Sequence, residues 1–136
     1  MPGCVLRASG AKFLPAEFLA RSSFTPCNVF HSGEPGGSAS VWDTSGFTVE
    51  VSAASGEEFH KQIEDAILFL HRYSDELNLL AQMKELEDLR LDFGVSRKNG
   101  FLQCSYLPPE LLRLAGNLRI GIEISIYGAD AVETTD

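Results

Sequence analysis

Three groups of side chains have types and spacings that bear on chemistry. The first is His60, Glu64 and His71. On a helix, steps of four and seven residues return side chains to nearly the same angle. His60 and Glu64 are therefore within reach of one another. But His60 and His71 stand about 16 Å apart along a helix axis, too far for one ion. His60 with Glu64 lacks the further ligands of a metal site. The spacing predicts polar-face histidines and no metal. The second group is Cys27 and His31. On an extended chain they lie about 13 Å apart, and a nucleophile needs its base within hydrogen-bond reach.

The third group is Glu50, Asp92 and Glu123, with Tyr127 beside them in type. Paired carboxylates do acid–base work when burial moves a pKa. All three lie on the polar side of alternating segments, where nothing buries them unless a loop closes over. No phosphate-binding glycine motif and no nucleophile elbow occurs, so no cofactor is expected.

The elements that position these residues can be read in order. Residues 4–9 read as a strand ended by Gly10, and Pro15 to Arg21 as a short helix with proline at its start. Residues 24–31 read as an edge or irregular strand, because Pro26 cannot donate to a ladder. Residues 31–46 form a long loop rich in glycine and serine that ends near Trp42, the single tryptophan. An aromatic there either anchors the loop on the core or offers a stacking platform in a cleft.

Phe47 to Ser52 alternates strictly. Ser55 and Glu58 have capping-box spacing, and an apolar stripe from Phe59 to Leu80 predicts one long helix to about Met83. Leu89 to Val95 alternates again. Asn99-Gly100 predicts a hairpin turn into a return strand, Phe101 to Leu107. Pro108-Pro109 opens a helix that Gly116-Asn117 closes. Ile120, Ile122, Ile124 and Ile126 give the inward face of a last strand. Residues 129–136 read as an acidic, flexible tail after a single domain spanning 1–128.

The predicted order is β-α-β-β-α-β-β-α-β. That is an α+β fold with an antiparallel, extended ferredoxin-like sheet and helices packed on one face. Alternation puts Arg7, Glu50, Arg90, Asp92, Gln103, Ser105, Glu123, Ser125 and Tyr127 on the uncovered face.

The net charge is −8, and residues 57–88 hold nine acids against three bases. Such a chain repels phosphate, so neither nucleic acid nor an anionic membrane is an expected partner. Three cysteines without metal or disulfide spacing fit a reducing compartment, the cytoplasm. No apolar run approaches the length of a secretory core or a membrane span.

Three stretches carry a resemblance: Leu91-Asp92-Phe93-Gly94, Leu107-Pro108-Pro109-Glu110-Leu111-Leu112, and Ile122-Glu123-Ile124-Ser125-Ile126-Tyr127. Thr25-Pro26, Gly33-Glu34 and Trp42 add to it in the first half. With these the chain resembles the bacterial family called domain of unknown function 4279. The resemblance implies a bacterial α+β domain and supplies no activity.

The expectation is a non-catalytic protein-binding module, of which a toxin-neutralising, immunity-like protein is one concrete form. The alternative is a small-ligand or sensory domain with its site between the 31–46 loop and the polar sheet face. An enzyme using Asp92, Glu123 and Tyr127 under a closed loop is the least favoured. The candidate binding residues are Trp42, Glu50, Arg90, Asp92, Glu123 and Tyr127. Sheets of this kind can pair by faces or edges, so a homodimer is allowed.

Overall fold

Alternation decides the sheet. In the computed structural model, which describes residues 3–36 and 40–128, strand β1 (Cys4–Gly10) buries every second residue. Its neighbours are β3 (Ser45–Ser52) and β4 (Asp88–Ser96), both antiparallel to it. Leu6 sits between Val49 and Leu91 on the inward face, and Arg7 between Thr48 and Arg90 on the outward one. A short β2 (Asn28–Phe30) pairs antiparallel with β3, and β5 (Gly121–Tyr127) pairs with β4. The sheet order is β2-β3-β1-β4-β5.

Among the described residues four helices add to the core: α1 (Pro15–Leu19), α2 (Phe59–Arg72), α3 (Ser74–Ala81) and α4 (Pro109–Asn117). Phe18, Ile63, Ala66, Leu70, Leu77, Leu80, Leu111 and Ala115 pack with Leu6, Phe47, Leu91 and Phe93 in one buried cluster. Each large apolar side chain so buried contributes about 1.5–3 kcal/mol. Gln62 is the most deeply buried of three polar residues in this interior, with Ser45 and Ser52. Its Nε2 lies 2.8 Å from the Gly94 carbonyl and 3.0 and 3.2 Å from those of Ser55 and Ala54. It stitches the chain entering α2 to β4.

Three expectations are corrected. The long helix is two helices, because Tyr73 (φ −108°, ψ 23°) breaks the ladder between them. Its ring packs 5.1 Å from Phe24 and 4.9 Å from Phe69, and this tertiary contact overrides the helical pattern. Ser55 and Glu58 do bond, at 3.1 and 3.2 Å, but in the turn before a helix that begins at Phe59.

The hairpin after β4 does not form, so Gln103 and Ser105 are not on a strand. A type I′ turn needs positive φ at both central residues, and Gly100 has it (φ 120°) whereas Asn99 does not. The place beside β4 is taken instead by β5, with Ser96 opposite Tyr127. Gln103 turns back and bonds the Ser96 carbonyl at 2.8 Å and the Lys98 N–H at 2.9 Å.

The sheet is also not purely antiparallel. Residues 97–120 cross over through α4, so β5 enters from the same end as β4 and runs parallel to it. The element order is β-α-β-β-α-α-β-α-β. The predicted tail, 129–136, and residues 37–39 of the loop lie outside the described residues. Among those described, no helix is long and apolar enough to cross a membrane.

Candidate polar face and flanking groove

The outward face gathers its charges where β1, β4 and β5 lie side by side. Arg90 grips Asp88 through two nitrogens at 2.8 and 2.9 Å and reaches Glu123 at 3.0 Å. Arg7 lies 3.3 Å from Asp92 and 3.6 Å from Glu123. Ser125 Oγ donates to the other Asp92 oxygen at 2.7 Å. Two guanidiniums thus serve three carboxylates across three strands. The hydrogen bonds from Arg90 to Asp88 first, and then to Glu123, hold its charge more firmly than usual.

The arrangement makes the chemistry plain. Asp92 and Glu123 are cross-strand neighbours, but Arg7 lies between them and balances both. Asp92 is the least exposed, with 15% of its side chain open. These carboxylates are engaged as ion-pair partners of the two guanidiniums.

The structure brings together Arg90, Asp92 and Glu123 and adds Arg7, Asp88 and Ser125. Alternation alone places Arg7 and Ser125 on this face. It does not reach Asp88, because the apolar alternation starts at Leu89 whereas β4 begins one residue earlier. Three predicted residues stand apart. Val5 pairs with both Glu50 and Asp92, so Glu50 is two strands from Asp92, about 10 Å. Tyr127 lies at the far end of β5.

Trp42 is at the opposite margin. Phe30 pairs with Gly46, whose neighbour Phe47 faces inward, so Phe30 faces outward. Trp42 stacks on Phe30 with centroids 4.5 Å apart. Gly46 lets this happen: a Cβ there would strike the Ala8 carbonyl and come within 2.8 Å of the Phe30 ring. The loop is pinned by backbone bonds between Trp42 and both Gly33 and Glu34, each 2.9 Å. Its aromatic anchors on the outward face, not in the main core.

Sequence gave no sign of the concave site. Pairing of β2 with β3 starts at Asn28–Thr48. The chain before it diverges from β3 at Pro26, which has no N–H to donate. A groove of about 420 Å³ opens there between β3 and α2, lined by Thr25, Glu50, Val51, Leu68, Arg72 and Tyr73 among others. Beneath it Asp65 accepts from Ser52 at 2.7 Å and pairs with Lys61 at 3.2 Å. The Ser52 bond first, then Lys61, hold the Asp65 carboxyl below its ordinary 3.8 against the opposing effect of burial.

The remaining candidates separate. His60 pairs with Glu64 at 2.8 Å, while His71 pairs with Glu110 at 3.1 Å. Among the described residues no three His, Cys, Asp or Glu converge on a metal-sized point. The Cys27 thiol lies 3.2 Å from the Thr48 hydroxyl, and His31 pairs with Glu34 at 3.3 Å.

No curated protein and no solved structure matches the chain. A family model described as Domain of unknown function (DUF4279) matches residues 2–129. That span takes in β1 through β5, the charged face and the groove, and the chain belongs to this family.

Proposed function

We propose that this chain is a non-catalytic protein-binding module that docks its partner on the outward sheet face. The observation that carries the reading is the balanced cluster of Arg7, Arg90, Asp88, Asp92 and Glu123 on an uncovered sheet. Its groups are held by one another before any partner arrives, which lowers the ordering cost of docking. Flat, charged and pre-arranged surfaces suit a protein and its specificity. A toxin-neutralising, immunity-like role for this chain is one form of this. Three free cysteines fit a cytoplasmic setting. The first four strands, all antiparallel with β3 between β1 and β2, support a ferredoxin-like core to which α4 and β5 are added.

The test is capture from an extract of the source cell with Arg90→Glu beside the unaltered chain. A partner held by the unaltered chain and lost from Arg90→Glu supports the reading. A partner held equally by both refutes the docking face.

A second reading, a small-ligand domain, is favoured by the groove between β3 and α2. It moves the site away from the 31–46 loop. Arg72→Ala would then abolish a ligand-induced rise in Tm while Arg90→Glu leaves it intact.

A further inference from the structure

The two edges of the sheet are built differently. At one edge β2 is three residues long and follows Pro26 closely. Short strands and prolines are how native proteins stop an edge from recruiting another strand. At the other edge β5 is seven residues, Gly121–Tyr127, without proline, lysine or arginine, and its register with β4 has no bulge. Among the described residues, the only backbone bond to β5 from outside the β4 ladder is Arg97 N–H to the Tyr127 carbonyl, on the β4 side.

That bond fixes which groups are free. Backbone groups alternate along a strand. Gly121, Glu123, Ser125 and Tyr127 point theirs at β4, so Ile122, Ile124 and Ile126 point theirs at the open edge. The side chains of the same three isoleucines lie on the helix side, opposite Leu91, Phe93 and Val95. They are incompletely covered there, and Ile126 is 58% exposed. Gln103 brings the crossover segment back to the end of β4, where Phe101 and Leu102 are exposed as well.

We propose that β5 pairs with β5 of a second copy, antiparallel about a two-fold axis at Ile124, joining two five-stranded sheets into one. The strand complements itself in this register. Ile124 meets its own counterpart, and Ile122 meets Ile126 of the other copy. Glu123 meets Ser125, so no carboxylate faces a carboxylate, and like charges directly opposite are what such pairs avoid. Glu123 is already balanced by Arg7 and Arg90 within its own chain. A partner strand of the same length that sets no carboxylate opposite Glu123 fits, and the second copy supplies one. The outward faces of both copies stay open, so this dimer does not depend on the proposed partner.

Light scattering after size-exclusion chromatography tests it. From about 1 to about 100 µM, the range in which a modest interface assembles, the chain should approach twice its 14.9 kDa mass. Ile126→Lys, an inward-pointing edge charge, should return it to the single-chain mass with unchanged helical circular dichroism. In a Cys27→Ser/Cys104→Ser background, Ile124→Cys should oxidise to a linked dimer, while Leu112→Cys on α4 should not. A single-chain mass throughout the range, or a dimer indifferent to Ile126→Lys, overturns the proposal. Should Ile126→Lys fail to fold, the absence of a link at Ile124→Cys overturns it instead.

Discussion

Ser125 Oγ donates to Asp92 at 2.7 Å from one side while Arg7 engages the same carboxylate at 3.3 Å from the other. One side chain of β4 therefore ties β5 to β1. Backbone ladders hold adjacent strands only, whereas this carboxylate spans three.

Asp92→Ala should destabilise the fold by about 1–3 kcal/mol, the usual cost of losing hydrogen bonds to a partly buried charge. Ser125→Ala should cost less, because Arg7 remains. Urea unfolding checks both, and a loss for Asp92→Ala no larger than for an ordinary surface substitution would count against the tie.

The three thiols should differ in reactivity. Cys4 is fully buried, and burial first, then Asp92 and Asp65, push its thiol above the ordinary 9.0. The thiolate is the reactive form. Iodoacetamide at pH 8 should therefore modify exposed Cys27 and Cys104 in the native protein and reach Cys4 only in urea. Mass spectrometry counts the adducts, and rapid native labelling of Cys4 would contradict its placement.

Acid should weaken the join between β3 and α2. The Asp65 carboxyl is lowered by Ser52 and Lys61. A lowered folded pKa gives stability that is fully present above the unfolded value, 3.8, and is lost as pH falls through the folded value. Asp65→Asn should flatten the pH dependence of stability below 3.8 and leave its slope near neutrality unchanged. Denaturant midpoints across that range provide the comparison.

Gln62→Leu keeps the side-chain bulk roughly constant but removes the donor that the Gly94 carbonyl uses. A buried acceptor left without its partner costs about 1–3 kcal/mol. The loss should appear as a lower Tm and as faster amide exchange at Ser96, whose N–H donates to the Gly56 carbonyl at 3.0 Å in the same loop.

Phe30→Ala should red-shift the fluorescence of Trp42, because it removes the ring stacked on it at 4.5 Å. An unchanged spectrum would mean that the loop keeps the indole covered by other means.

Most of the fold was legible because alternation and helical stripes report burial directly. Phe47, Val49 and Leu91 read as inward, and Arg7, Arg90 and Glu123 as outward, from alternation alone. What escaped was set by distant parts of the chain. Nothing near Asn99 says that β5 will occupy the flank of β4, so a local turn signal was followed to a strand that does not exist. Nothing within the long apolar stripe marks Tyr73, whose break depends on Phe24. The charged cluster was partly foreseen because a period of two assigns faces. Its limits were not, because register alone decides that Glu50 stands two strands away. The groove left no trace at all, since it arises where β2 diverges from β3.

The central position of β1 bears on how the chain reaches this state. Cys4 through Ser9 form the hub, with β3 on one side and β4 on the other, and Cys4 lies opposite both Ser52 and Phe93. During synthesis the hub emerges before either flank. It has no neighbour until β3 appears and only one until β4 follows. Pairings so distant along the chain slow folding, and an apolar strand without neighbours is prone to aggregate while it waits. The first of these five strands to be synthesised therefore waits for its second neighbour until β4, and chaperone demand should be greatest between the emergence of β1 and that of β4.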